Sequence, residues 1–174
     1  MRQNPFRNLT LLVFLCCALL YVTRFAAQYD FFRPSASSPQ IGISHDFPYT
    51  RLDGSTGFLR DHDGRKTVIH FWATWCPPCI TELPELIDKA ATRPDVDFLL
   101  ISVDKDQARL RHFLQPYQQK LKTANITMIH DLSANIATDH MKVSGFPESF
   151  FLDSGRYQTR HIKGPVKWVS FDDF

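Results

Sequence analysis

Two cysteines separated by two prolines, Cys76 and Cys79 in the segment WCPPC, are the residues of this 174-residue chain best placed to do chemistry. A pair at this spacing can cycle between dithiol and disulfide, or supply two soft ligands to a metal ion. The sequence holds no second CxxC and no HxxxH to complete a tetrahedral zinc site, which disfavours structural metal. The other two cysteines, Cys16 and Cys17, lie inside an apolar run and read as lipid-facing filler. The scattered cysteines of a disulfide-stapled mini-domain are missing.

The chemistry depends on what positions the pair. TVIHFWA, just before it, is an apolar, β-branched and aromatic run that predicts a buried strand, and a helix should follow the cysteines. That junction puts the first sulfur at a helix N-terminus, where unpaired amides and the macrodipole favour negative charge. Cys76 is therefore the expected nucleophile. Cys79, one turn inward, is the expected resolving thiol that breaks the mixed disulfide.

The remaining elements follow from the same patterns. LDGSTGFLRDHDGRKT carries glycines at turn spacing and suggests a hairpin, while VDFLLISV, residues 96 to 103, predicts a second strand buried on both faces. Leu110, Phe113, Leu114, Tyr117 and Leu121 recur at helical spacing, with Pro116 expected to end or kink the helix. ITMIHD predicts a weaker strand, Ser133 to Met141 a short helix, and SFFLD with RYQTRHIKG an antiparallel hairpin. Pro165 is expected to start a final helix in PVKWVSFDDF.

At the other end, Arg2 and Arg7 precede an uncharged apolar stretch at 9–22 that reads as a signal sequence or a membrane anchor. Retention is favoured, because Arg24 and Phe25 sit where a cleavage site needs small residues. Residues 28–44, with Pro34, Pro39 and several serines, have the composition of a flexible tether. The division is thus anchor or signal 1–27, tether 28–44 and folded domain 45–174. A formal net charge of +2 gives no electrostatic reason to expect nucleic acid, and 44% apolar residues suffice for a core.

FWATWCPPC followed by Glu82 and Pro84 resembles the membrane-anchored thioredoxin-like family of the TlpA, ResA and DsbE (CcmG) type, from about residue 45 onward. VSGFPESFFLD is similar to the family's cis-proline segment, which places Pro147 opposite the cysteines. The resemblance implies an α/β thioredoxin fold: a central mixed β-sheet flanked by helices, with an N-terminal β-hairpin extension. A cis proline there would leave the backbone of Phe146 free to pair with an extended substrate. An ordinary turn proline is the alternative.

Around these two motifs, five further residues stand out. His70 occupies the position of a buried Asp or Asn, where an imidazole could pass protons to or from Cys79; a neutral core histidine bonded to backbone is the alternative. Glu82 matches a partly buried acid whose pKa burial would raise, against a solvated helix-face carboxylate. Glu148 resembles the Pro-Glu pairing of the cytochrome c maturation branch and is a candidate for partner recognition; an ordinary exposed glutamate is the alternative. Trp72 is expected in the core and Trp75 as a partly exposed lid beside Cys76. His45, His62, His112, His130, His140 and His161 share no ligand spacing and read as surface or turn residues.

The function implied is a thiol-disulfide oxidoreductase at a bacterial inner membrane, with its catalytic domain in the periplasm or outside, or secreted to the periplasm if the signal is cleaved. It would be a reductant of particular protein disulfides, for apocytochrome c haem attachment or metal-centre assembly. A membrane thiol transporter of DsbD or CcdA type would recharge it, and no small-molecule cofactor is needed. A disulfide-donating oxidase and a non-catalytic copper carrier using the CxxC are the competing readings.

Overall fold

The computed structural model describes residues 41–42 and 46–172. The expected anchor and most of the expected tether lie outside them. Among the described residues no helix is long and apolar enough to cross a membrane.

The core is one six-stranded mixed sheet in the order β1-β8-β7-β4-β5-β6. Its centre is β4 (Lys66–Trp72) beside β5 (Val96–Ser102), paired in parallel so that His70 faces Leu100 across the ladder. These two runs are buried along nearly their whole length. Nearly continuous apolar sequence suits a strand covered on both faces. β6 (Ile126–His130) extends the parallel half beyond β5. On the other side, β7 (Glu148–Leu152) runs antiparallel to β4, and β8 (Tyr157–Lys163) runs antiparallel to β7. β1 (Ile41–Gly42), inside the tract read as tether, pairs with β8.

The expected N-terminal hairpin is β2 (Pro48–Thr50) against β3 (Thr56–Phe58), a separate two-stranded ribbon. A bridge from Arg51 to Ile129 and an amide bond from Leu52 to the Met128 carbonyl stitch it to β6. Its buried Tyr49 also touches the domain: the phenol lies 3.0 Å from His62 Nε2, and His62 Nδ1 lies 2.7 Å from the Asp97 carboxylate. His62 is therefore a tether point between hairpin and sheet, not the plain surface residue expected.

Helix α1 (Pro77–Thr92) packs Leu83, Leu86, Ile87 and Ala90 into the core and continues past Pro84. Helix α2 (Gln107–Leu114) starts on Asp106, whose carboxylate accepts from the amides of Ala108 and Arg109. Regular helix stops before Pro116, which sits in a tight turn over Gln115–Tyr117, as its missing donor requires.

Two expected helices do not form. Between Ser133 and Met141 there is only a single wide turn, Ile136–His140, preceded by Ala134 at φ 57°. A left-handed residue cannot propagate a right-handed helix. The tail after Pro165 stays extended until a three-residue turn at Trp168–Ser170. The reason is local: the Val166 amide donates to the Glu82 carboxylate, and Trp168 is fully buried beside Phe151 and Phe171.

Candidate active site

β4 ends at Trp72, and the chain then turns through Ala73, Thr74 and Trp75 to reach the cysteines. That turn is held by Asp104, at the carboxyl end of β5. The buried Asp104 carboxylate accepts from the Thr74 amide at 2.9 Å, the Thr74 hydroxyl at 2.6 Å and the Ser102 hydroxyl at 2.8 Å. The sequence reading missed Asp104. Its signal was an acid directly after an apolar strand, level with the cysteines.

Cys76 is the N-cap of α1, and Cys79 lies one turn inside with no solvent exposure. The two are joined as a disulfide with Cα atoms 5.3 Å apart, so the structure represents the oxidised state. Pro77 and Pro78 fill the first two helical positions and carry no amide hydrogen. Of the amides that normally crowd a helix start, the first one left to face Cys76 belongs to Cys79 itself. The next, that of Ile80, already donates to the Cys76 carbonyl.

Against Trp75, the residue before Cys76, packs the loop that leads into β7. Its Phe146–Pro147 peptide is cis, Pro147 is buried, and the Pro147 carbonyl accepts from Gly164 on the far side. Trp75 meets Phe146 edge to face, ring centres 5.7 Å apart at 84°. This contact brings the cysteine loop and the proline loop together. Trp75 remains 56% exposed, as suits an aromatic wall open to a partner chain.

Glu148 is not an exposed recognition residue. Its side chain is 1% exposed, because the carboxylate turns inward under the proline loop. One oxygen accepts from the amides of Ser144 and Gly145 at 2.9 and 3.2 Å, and the other lies 2.5 Å from His161 Nε2. Glu148 thus fixes the backbone just before Phe146 and Pro147. His161 lies at the surface as expected, yet it is stacked on Phe150 and is part of the same support, as is Lys163, bonded to Ser144. Nothing in the sequence marked His161, since the contact depends on the pairing of β7 with β8.

Glu82 and His70 come together against the buried face of α1. Glu82 lies three residues after Cys79 on the buried face of α1, and is not a solvated helix-face acid. One carboxylate oxygen accepts from the Val166 amide at 2.5 Å, and the other lies 3.4 Å from His70 Nε2. His70 Nδ1 is 2.9 Å from the Ser149 hydroxyl, so its partner is a side chain and not the backbone expected of a plain core histidine. Burial pushes Glu82 up to about 7 and His70 down to about 3, because charge is poorly solvated there. Among the described residues no group of three or more His, Cys, Asp or Glu side chains is arranged to hold a metal ion.

A sequence profile of the AhpC/TSA family matches residues 42–156. The chain belongs to the AhpC/TSA family. Within reach of this AhpC/TSA chain is YneN, a thioredoxin-like protein of Bacillus subtilis, 30% identical over 139 residues that cover 72% of this chain and 76% of YneN. The thiol-disulfide oxidoreductase ResA of Bacillus thuringiensis is 29% identical over 122 residues, 68% of this chain and 66% of ResA. Among solved structures, a secreted disulfide oxidoreductase of Mycobacterium tuberculosis, homologous to E. coli DsbE, superposes with a TM-score of 0.60 at 25% identity. It covers 71% of this chain and 89% of its own. A DsbE-type thiol:disulfide interchange protein of Chlorobium tepidum shares the fold, with a TM-score of 0.62 at 21% identity over 75% of this chain and 89% of its own.

The fold of this AhpC/TSA member is therefore the thioredoxin-like α/β fold expected. With a cysteine pair at the start of α1 and relatives of this kind, the chain is a thiol-disulfide oxidoreductase.

Proposed function

We propose that the chain is a reductant of specific protein disulfides on the extracytoplasmic face of a bacterial inner membrane, held there by residues 1–27. The Cys76 thiolate attacks a partner disulfide, forming a mixed disulfide and expelling one partner sulfur as thiolate. Cys79 then gives up its proton and attacks the Cys76 sulfur. The mixed disulfide breaks, the second partner thiolate leaves, and two electrons have passed to the partner as the Cys76–Cys79 disulfide forms.

The observation that carries the direction is the placement of Pro77 and Pro78 at the first two positions of α1. A strongly oxidising pair owes its potential to a well-stabilised reduced form, with the thiolate held by helix-start amides. Here two of those donors are missing. Their absence raises the energy of a Cys76 thiolate and so makes the reduced pair the better electron donor.

Apocytochrome c, or a protein that assembles a metal centre, suits such a donor. The relatives of ResA and DsbE type support that choice, with a membrane thiol transporter of DsbD or CcdA type recharging Cys76 and Cys79. The test is to equilibrate the full chain with thiol-disulfide buffers and measure the potential of the pair. A value near that of thioredoxin, about −270 mV, supports the reductant; one near the DsbA value of about −120 mV replaces it with an oxidase. Membrane fractionation and resistance to alkaline extraction test the anchor.

A further inference from the structure

The cysteine loop has a second neighbour, the loop that leaves β5. Strands β4, β5 and β6 run parallel, with Trp72, Ser102 and His130 level at their carboxyl ends. The loops that follow them therefore open at the same end of the sheet as Cys76, the end where open α/β sheets take their ligands. Between the first two loops lies a cleft of about 280 Å³, lined by Trp75, Val103, Asp104, Lys105, Asp106 and Arg109. That is smaller than the ~300–1,000 Å³ of a small-molecule pocket, so it suits one side chain of a larger partner.

The charges of the cleft are not equally available. Asp104 is shut in, its carboxylate taken by Thr74 and Ser102. Asp106 is held against the start of α2, where its carboxylate accepts from the amides of Ala108 and Arg109. Lys105 and Arg109 are exposed, and among the described residues neither side chain has an ion-pair or hydrogen-bond partner. Nor do they serve the helix. Lys105 precedes the N-cap and Arg109 lies in the first turn of α2, where the macrodipole disfavours positive charge. Two cations thus stand unpaired, at a cost to the helix, beside the apolar surface of Trp75 and Val103.

We propose that this cleft reads the partner's sequence beside its disulfide: it takes the side chain of a Glu or Asp within about three residues of the cysteine that Cys76 attacks. The carboxylate meets the Arg109 guanidinium, whose fork can hold it through two parallel hydrogen bonds, with the Lys105 ammonium beside it. The methylenes of the acid lie on the exposed indole of Trp75. Trp75 is bonded to Cys76 and lines the cleft, so a partner chain spanning about 10 Å in three extended residues can engage both. Pairing with the backbone of Phe146 is open to any extended chain, and it is the cleft that distinguishes one partner from another. The selection rests on exchange with a protein disulfide, whichever way the electrons run.

The experiment uses the full chain, reduced, with peptides whose single cysteine carries a neutral thiopyridyl disulfide. The Cys76 thiolate attacks the peptide sulfur, the bond to the thiopyridyl sulfur breaks, and thiopyridone leaves with the electron pair and gives the rate. The residue two positions from the peptide cysteine is Glu, Gln or Lys. Each rate is corrected for the Cys76→Ser chain and divided by that of mercaptoethanol with the same peptide, which removes the peptide's own reactivity. The Glu peptide should react about fivefold faster than the Gln peptide at low salt, and the Lys peptide more slowly than both. In about 1 M salt, where screening acts within ~3 Å, the advantage should fall below about twofold. In the Lys105→Ser, Arg109→Ser double variant the Glu and Gln peptides should react alike. In Lys105→Glu, Arg109→Glu the order should invert, which a misfolded chain could not produce.

A Glu advantage that survives in the serine double variant overturns the proposal, as does equal reaction of the Glu and Gln peptides with the unsubstituted chain. So does an advantage undiminished when the Glu is moved about eight residues from the cysteine, since that would be the field of the whole molecule. Thiopyridone leaves irreversibly, so the preference does not depend on the potential of the pair. A DsbA-like potential therefore removes the reductant and leaves the cleft standing, whereas equal peptide rates remove the cleft alone.

Discussion

His161 reaches across the β7–β8 hairpin to the buried carboxylate of Glu148, with Nε2 2.5 Å from Oε1. Since the other oxygen of the same carboxylate holds the amides of Ser144 and Gly145, strand β8 is tied through Glu148 to the backbone that precedes Pro147. Glu148→Ala should cost about 2–4 kcal/mol in urea unfolding, because it strands two amides and an imidazole. It should also raise the KM for a protein disulfide several-fold. The alkylation rate of reduced Cys76 by iodoacetamide should stay within about twofold, since Glu148 acts on the partner's seat. Equal losses in both assays would place Glu148 in the thiol chemistry instead.

The two cysteines should fail differently. Cys79→Ser is expected to accumulate a mixed disulfide between Cys76 and its partner, visible on non-reducing gels and released by reductant. Cys76→Ser should form none and lose all exchange activity. Trapped adducts through Cys79 in the second variant would reverse the assigned roles.

Asp104 should matter as much to folding as to chemistry. Its buried carboxylate takes three donors from Thr74 and Ser102, so Asp104→Ala leaves them unpaired and should destabilise the domain by about 3–4 kcal/mol. Asp104→Asn keeps the shape but must aim a donor at a donor, and should recover only part of the loss. Stability within about 1 kcal/mol of the parent for Asp104→Ala would mean that the turn before the cysteines is held by something else.

What could be read in the sequence beforehand was whatever depends on local pattern. The apolar runs of β4 and β5, the helix start at WCPPC and the stop at Pro116 are all dictated within a few residues. The site's support was not legible, because it is built from strand neighbours distant in sequence. Ser149 reaches His70 only through the antiparallel register of β7 on β4, and His161 reaches Glu148 only through β8. Glu148 was misjudged for a related reason: nothing near it announces that the loop before Pro147 folds back to offer two amides. The tail failed as a helix because Val166 bonds to a residue 84 positions away.

The His70–Glu82 pair should leave a mark on stability against pH, and its sign can be worked out by counting protons. Unfolded, glutamate titrates near 4.5 and histidine near 6.5; folded, Glu82 titrates at about 7 and His70 at about 3. Between pH 4.5 and 6.5 both states hold one proton on this pair, so its contribution is level. Below 4.5 the unfolded pair holds two and the folded pair one, so stability falls with pH by roughly 2 kcal/mol down to pH 3. Above 6.5 the unfolded pair holds none while Glu82 keeps its proton to about 7, so stability falls by less than about 1 kcal/mol as pH rises. Urea unfolding of the oxidised chain, minus that of the His70→Asn, Glu82→Gln double variant, should show this plateau. A difference that climbs steadily with pH would contradict it.

The Val166 amide on Glu82 makes the tail a thermodynamic lever. The Val166 amide and the Trp168 side chain both hydrogen-bond the Glu82 carboxylate and lower its pKa, so these contacts of the docked tail and the ionised Glu82 favour each other by one and the same factor. Ionising Glu82 therefore strengthens the tail's hydrogen bonds, and a partner that lifts the tail off α1 takes two donors from the carboxylate. An event at a segment more than eighty residues further along the chain is thereby felt as a change in proton supply one helical turn from Cys79.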